Sequence, residues 1–324
     1  MADHHTDPSH HDSDSDSEPE FFPGTKATWK HDPNVPAPTF THNECLVETV
    51  ISRCTSNPTR MRLTPFLSYM ITTCDAAYSM RTLPVNVDNK NEIDMNTPVW
   101  SFERFGQSKT RVGAPRGDTD PSHYRTILIG GEHEDSYDPD FWIYNDVVVL
   151  HNRDSPLGAK LEEIEVYGYP KADFPPVCWH TATYYVDGPK QYIYLVGGEG
   201  HNGHSYDLTC VVNRLDLDSF KMERIETTGY APPPQSFLGF RRKPKATLVG
   251  KNIVIEWAAS LNTDDGVGPT RYAFHIPSQE WRTVRLPEGG PRYDRANMTN
   301  QNDVGTERPS CARAWAAFGP LMFN

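Results

Sequence analysis

The sequence predicts an all-β protein, either a β-propeller or an incomplete propeller of four-stranded blades, preceded by a disordered acidic tail. Two features of the chain carry this prediction: the same order of short strand-like runs occurs three times, and two of the copies contain a Gly-Gly pair. Composition agrees, because the 324 residues include 28 Pro, 22 Gly, 15 Tyr, 14 Phe and 7 Trp. Such a mixture is typical of short strands joined by turns.

The predicted tail, residues 1–38, alternates His, Asp, Ser and Pro with few apolar residues. Such a segment cannot bury enough surface to offset the entropy lost on ordering, so we expect it to be disordered. The chain has a formal net charge of −12, and the first twenty residues contribute −7 of it through seven carboxylates and no Lys or Arg. This acidity argues against a nucleic acid partner.

An internal repeat begins near residue 100, and each of its three units offers four strand-like runs. The runs are 105–110, 124–131, 144–150 and 161–166 in the first unit, 180–183, 191–198, 211–217 and 222–226 in the second, and 245–249, 252–256, 271–276 and 280–284 in the third. Runs such as 193–196 are apolar on both faces, as expected of an inner strand. Runs such as 161–166 alternate apolar and charged residues, as expected of an outer strand with one solvated face.

Gly130-Gly131 and Gly197-Gly198 each end an apolar run and are followed by a polar and aromatic segment, after which another strand-like run begins. In this order the units resemble kelch repeats, strongly for the first two units and weakly for the third, which lacks the Gly-Gly pair. The resemblance covers residues 98–287. It implies a propeller whose loops bind a partner, and a propeller fold by itself does not decide whether a protein is an enzyme.

The resulting domain prediction has four parts: a tail at 1–38, an N-terminal extension or divergent first blade at 39–97, the repeat region at 98–287, and a C-terminal extension at 288–324 that is a candidate for closing the propeller. By periodicity, runs 44–51 and 67–73 fit a strand or a helix, and run 100–105 is predicted as the outer strand of a preceding blade. Closed propellers have about four to eight blades. Three are recognisable here, so either the flanks complete the ring or an open array self-associates through its edges.

The segment after the first Gly-Gly pair is predicted as a long acidic loop, and its counterpart in the second unit is rich in His. Because loops that join equivalent strands open on one face, we expect these side chains to converge near the central channel. The candidate ligand-binding residues are Glu132, His133, Glu134, Asp135, Trp142, His180, Glu199, His201 and His204. Mixed carboxylates and imidazoles suit a divalent cation, for which the candidate ligands are Glu132, His133, His201 and His204. The competing interpretation is that acidic loop residues cap turns.

The function predicted from these features is a binding scaffold that holds a protein or a small molecule on its loop face. No catalytic residue is assigned, and no cofactor is predicted apart from the candidate divalent cation. The alternative is a metal-dependent enzyme or ligand-processing protein that uses the same acidic and His loops. No apolar run approaches the roughly 20 residues of a membrane span, and the N-terminus is unlike a signal peptide, so we expect a cytoplasmic or nuclear protein without a membrane partner. Six scattered cysteines are predicted to be reduced and mostly buried.

Overall fold

A computed structural model gives the fold of residues 39–74, 86–87, 98–120, 122–135, 138–198, 200, 210–232, 245–257 and 270–284. All of these residues belong to one compact unit, Ala37–Asn324. The predicted tail at 1–38 and the predicted C-terminal extension at 288–324 lie outside the described residues. None of the helices in the described ranges is long and apolar enough to cross a membrane.

The described part of the segment that precedes the repeat contains three short helices and three two-residue strands. Its elements are β1 (Thr39–Phe40), α1 (His42–Cys45), α2 (Val47–Ile51), β2 (Thr59–Arg60), α3 (Pro65–Thr73) and β3 (Asn86–Val87). Run 67–73, whose periodicity fits a strand or a helix, is therefore helical, and so is run 44–51 apart from Leu46, which is extended and separates α1 from α2. The local sequence explains both starts: Thr41 and Glu44 form a capping box at α1, and Thr64 caps α3 with Pro65 in its first turn.

Each repeat unit forms one antiparallel sheet whose four main strands are paired side by side in the order in which they occur in the chain. Sheet I consists of β4 (Ser108–Gly113), β5 (Tyr124–Ile129), β8 (Val147–His151) and β9 (Ile164–Gly168), with β2 added beside β9. Sheet II consists of β10 (Thr181–Asp187), β11 (Lys190–Val196), β12 (Val212–Asp216) and β13 (Met222–Ile225). Sheet III consists of β15 (Lys245–Val249), β16 (Asn252–Trp257), β17 (Thr270–His275) and β18 (Glu280–Val284), with β14 (Thr228–Gly229) parallel to β18. The prediction of a mainly β protein is confirmed.

The sheets lie face to face, and strand alternation assigns each apolar side chain to one of two interfaces. In β5, Ile127 and Ile129 pack toward sheet II, whereas Leu128 packs toward the N-terminal helices. In β11, Ile193 and Leu195 pack toward sheet I, whereas the neighbouring aromatic residues pack toward sheet III. Helices, sheet I, sheet II and sheet III are thus successive layers. The first strands β4, β10 and β15 are neighbours, since β10 contacts both of the others.

Three details of the sequence prediction are wrong. The long loop expected after Gly130-Gly131 is a hairpin of β6 (Glu132–Asp135) and β7 (Asp138–Ile143), because the backbone of Glu132 pairs with Phe105 and with Ile143. The outer strand expected at 161–166 begins only at Ile164, after a 3-10 helix at Leu161–Glu163. Run 100–105 is not a strand, because buried side-chain contacts fix its path instead.

Those contacts centre on Arg104, whose guanidinium is buried in an ion pair with Asp146, at the end of β8 nearest the Gly-Gly pair. Arg104 also donates to the carbonyls of Ser101 at 2.8 Å and Gly130 at 3.1 Å. The Asp146 carboxylate also accepts from Trp100 Nε1 at 3.1 Å. The ring of Tyr144 lies under the guanidinium, with 3.4 Å from the Arg104 Cζ to the ring centroid. Run 100–105 is therefore tied to two strands of sheet I.

A second tie lies at the outer edges of sheets I and II. The side-chain amide of Asn57 donates to the Met222 carbonyl at 2.7 Å and accepts from the Met222 N–H at 2.9 Å. These two bonds resemble those that a neighbouring strand would form with the backbone of β13. Two residues later, β2 pairs with β9, and Arg60 bonds Glu165 at 2.7 Å. One short segment thus covers two edge strands that would otherwise present unpaired backbone groups.

Acid should weaken the tie between β2 and β9. His151, Tyr167 and Arg60 lower the pKa of Glu165 to about 2, from an ordinary value of 4.5. A carboxylate whose pKa is lower in the folded chain stabilises the fold above its ordinary pKa, and this stabilisation is lost as the pH falls from about 4.5 toward 2. We expect urea unfolding to show Glu165→Gln less stable than the wild type at about pH 6, and the difference to vanish near pH 2.

The control is Glu226→Gln, which removes an exposed carboxylate outside this cluster. Its stability should follow the wild type over the same pH range. A Glu165→Gln variant that stayed as far below the wild type at about pH 2 as at about pH 6 would show that the ionised carboxylate is not the source of the effect.

Candidate functional site

The two Gly-Gly pairs lie at the same end of their sheets, which we call the glycine end. Here residues 177–180, the crossing segment, lead from sheet I to β10 of sheet II. Gly131 N donates to the Val177 carbonyl at 2.9 Å, and Trp179 N donates to the Gly106 carbonyl at 2.9 Å. The crossing segment is therefore hydrogen-bonded to sheet I before sheet II begins.

The glycines are needed because the crossing segment passes against their backbone. A Cβ at Gly130 would lie 2.2 Å from the Val177 carbonyl oxygen, and one at Gly198 would lie 2.5 Å from Val177 Cγ2. Both glycines have positive φ, at 59° and 106°. The short distance to Val177 and the positive φ thus both exclude a side chain at Gly130 and at Gly198. This explains physically why each of these repeats has glycine here.

Trp179 is the most unusual residue of the crossing segment. Its φ of 57° is in the left-handed region, which bulky residues rarely adopt. Its half-buried indole covers Gly106, where a Cβ would lie 2.8 Å from Cδ2 of the ring. The indole N–H donates to Glu132 Oε1 at 2.8 Å. A strained backbone of this kind persists only where its surroundings fix it, and such residues cluster at functional sites.

Glu132, the first residue of the predicted acidic loop, is 4% exposed. Its Oε1 accepts the Trp179 bond, and Cys178 Sγ lies 3.5 Å from its Oε2. A buried carboxylate is stable only with such donors around it. The side chain that the sequence offers as a ligand for a partner or a metal thus holds the crossing segment against β6.

His180 closes the crossing segment and is fully buried. Its Nε2 lies 2.8 Å from the hydroxyl oxygen of Ser108, the first residue of β4, and Ser108 is also fully buried. A Ser-His contact can activate a serine nucleophile, but the serine must then reach a substrate. Here the contact lies inside the protein and joins β4 to the entry of β10.

The structure describes the side chains of four of the nine predicted binding residues. Glu132, His180 and His133 are buried, the last at 5% exposure. Trp142 is half-buried on β7, opposite His133, and Lys171 Nζ lies 4.9 Å from the centroid of its ring. The side chains of Glu134 and Asp135 and all of Glu199, His201 and His204 lie outside the described residues. Convergence of the two loops therefore stays a prediction.

Cysteines and metal-ligand groups complete the description of the site. Five of the six cysteines are described, and all five are buried, in agreement with the prediction of mostly buried thiols. Burial raises the pKa of Cys210 to about 12, so this thiol stays protonated at neutral pH. Within the parts of the chain that the structure describes, no three His, Cys, Asp or Glu side chains form a group suited to a metal ion.

Sequence reasoning missed most of what builds the glycine end. In the sequence, Trp179 is distinguished only as the neighbour of His180, Cys178 only as a buried thiol, and Gly106 only as part of a strand. A single glycine between the apolar Phe105 and a following strand is the one available signal, because a glycine inside a strand pattern indicates close approach of another backbone.

Substitution of the glycines separates close contact from backbone strain. Gly130 and Gly188 both have a φ of 59°, but an added Cβ at Gly188 would meet nothing within 4 Å. We expect Gly188→Ala to lose about 1–2 kcal/mol from left-handed strain alone. Gly130→Ala should lose about 1–3 kcal/mol more, because the Val177 carbonyl must move. Urea unfolding of both variants measures the difference, and equal losses would contradict the close crossing.

A scan against models of known protein families finds no match, and neither does a search of curated proteins. The resemblance of the repeat units to kelch repeats therefore rests on the residues quoted above, and membership of that family stays a prediction.

Proposed function

We propose that this protein is a binding scaffold, an incomplete kelch-type propeller that holds a protein or small-molecule partner at its glycine end. The observation that carries the proposal is that polar side chains at the glycine end form hydrogen bonds that fix the backbone there. The Glu132 carboxylate accepts hydrogen bonds from the Trp179 indole and the Cys178 thiol, and the Ser108 hydroxyl is hydrogen-bonded to the His180 imidazole. Groups used in this way make a rigid platform, and loops on a rigid platform are the common place for recognition.

Propeller architecture is supported by the arrangement of the sheets. Each of sheets I, II and III contains a meander of four strands, and the sheets pack face to face through apolar layers. Their first strands lie side by side, with β10 between β4 and β15. Blades of a propeller pack in this way, with their first strands nearest the axis.

An incomplete ring is favoured by what covers sheet I. Its face away from sheet II packs against α2, α3 and the buried Trp100, in the position that a preceding blade would take in a closed ring. We therefore propose that the described part of the segment, residues 39–74, belongs to an N-terminal extension and not to a blade. Two routes to completing the array stay predictions: closure by the C-terminal extension at 288–324, which lies outside the described residues, and self-association. Self-association would involve sheet III, whose far face is not part of the described apolar layers.

Trp142 and Lys171 form the recognition surface that we propose at the glycine end. The indole is half-buried and lies beneath an exposed ammonium group, 4.9 Å from its ring centroid. Tryptophan side chains anchor many interfaces because they bury a large area with few rotatable bonds. A lysine above the ring favours an acidic group on the partner. The net charge of −12 disfavours nucleic acid as a partner. We propose a location in the cytoplasm or nucleus.

The alternative, a metal-dependent enzyme, stays a prediction, because two of its four candidate metal ligands, His201 and His204, lie outside the described residues. The described part of the site favours the scaffold, since Glu132 and His180 are buried and bonded within the fold.

Partner capture with charge-reversal variants tests the scaffold. The full chain is immobilised, and proteins retained from cell extract are quantified by mass spectrometry. We expect Lys171→Glu to lose a partner that the wild type retains, because the variant places a negative charge over the indole. Trp142→Ala should lose the same partner, provided that its thermal unfolding shows a folded protein, since Trp142 also packs against the core.

The matched control is Lys190→Glu, an equally exposed lysine at the opposite end of β11. It should retain the partner. Loss of the partner with Lys190→Glu but not with Lys171→Glu would place recognition at the other end of the sheets and contradict the proposal, as would a chain that retains nothing specific.

A further inference from the structure

The connection between β4 and β5 contains a network of side-chain bonds that the proposed function does not use. Asp118 Oδ1 accepts from the Asp120 N–H at 3.0 Å, and Asp120 Oδ1 accepts from the Ser122 N–H at 2.8 Å and from its hydroxyl at 2.6 Å. The backbone N–H of His123 donates to the backbone carbonyl of Asp120 at 3.1 Å. Two carboxylates thus define the path of the chain into β5.

The imidazole of His123 lies between these two carboxylates. Its Nδ1 is 2.5 Å from Asp118 Oδ2, and its Nε2 is 3.5 Å from Asp120 Oδ2. Neutral imidazole has one N–H, so it can donate to only one of the two carboxylates. The imidazolium has two N–H groups and a positive charge, so it alone suits both neighbours.

Other charged groups near this connection are Arg116, which is exposed within the connection, and the pair of Arg111 with Asp154. Arg111 of β4 lies 3.8 Å from Asp154, which follows β8. The Arg111 guanidinium also stacks on the ring of Tyr124, at 3.6 Å from its centroid, and the Tyr124 hydroxyl lies 3.4 Å from Asp154. Within the described residues, the ionisable groups that contact the His123 imidazole are Asp118 and Asp120.

We propose that His123 is a pH-operated latch: protonated, it joins Asp118 to Asp120 and fixes the β4–β5 connection, and on losing its proton it releases one of them. The inference is independent of the scaffold function. It rests on the position of one imidazole between two carboxylates that already hold the turn by their other oxygens.

Electrostatics agree with this geometry. The hydrogen bond to Asp118 raises the pKa of His123 above its ordinary 6.5. The backbone bond from Asp120 and the bond from His123 lower the pKa of Asp118, and the bonds from Ser122 lower the pKa of Asp120. Because the histidine pKa is raised, the latch stabilises the connection fully below pH 6.5 and is lost as the pH rises through the pKa of the folded protein.

An NMR titration of the imidazole signals of the full chain tests the latch. The chain has 13 histidines, so the His123 signal is assigned as the one missing from a His123→Gln variant. We expect its pKa to exceed 6.5, to fall in Asp118→Asn and again in Asp118→Asn/Asp120→Asn, and to fall with added salt, which screens exposed charges. Asp154→Asn, the matched control, should leave it unchanged.

Amide hydrogen exchange measures the mechanical consequence. The protection factors of the Asp120 and Ser122 amides should be higher at about pH 5.5 than at about pH 8.5 in the wild type, and low at both values in His123→Gln. A His123 pKa at or below the ordinary value, a pKa indifferent to both aspartate substitutions, or protection that does not change between these pH values would each overturn the latch.

Discussion

The buried ion pair between Arg104 and Asp146 is the constraint on which the arrangement of the first sheet depends. A buried charge without its partner is strongly unfavourable, so the two groups must be brought together whenever the chain folds. Forming the pair brings the segment that leaves the helices against the end of β5, because the same guanidinium donates to the Gly130 carbonyl. It also places Trp100 and Tyr144 in the layer between the helices and sheet I. One ionic contact thereby fixes a connection that has no regular secondary structure.

The glycine end follows from this arrangement. Gly130 is held by Arg104 on one side and touched by the Val177 carbonyl on the other, so the crossing segment has a single route from sheet I to sheet II. Along that route Trp179 adopts a left-handed backbone, and its indole bonds the buried carboxylate of Glu132. Glu132 and His180, two of the four described residues that the sequence offers for chemistry, are thus used to connect two sheets. This use of the two side chains is the reason for proposing a binding scaffold.

Much of the strand pattern could be predicted from the sequence, because strand alternation and turn residues are local signals. The runs that form β5, β11 and β16 are short and largely apolar. The sequence does not reveal the β6–β7 hairpin because its acidic residues resemble a solvated loop, and only the pairing of Glu132 with Ile143 and with Phe105 shows a strand. Helices α1 and α3 were ambiguous because short apolar runs fit both periods, and their capping residues decide between them. Arg104 and Asp146 are 42 residues apart, and no local pattern shows that two such residues form a buried pair.

A double-mutant cycle on Arg104 and Asp146 tests the central claim most directly. Arg104→Met, Asp146→Leu and the double variant are compared with the wild type by urea unfolding. Each single variant leaves one buried charge alone and should lose about 3–5 kcal/mol, whereas the double variant leaves none and should lose much less than the sum of the two. Additive losses would contradict the account, because they would mean that neither charge depends on the other and that run 100–105 is held by its apolar contacts alone.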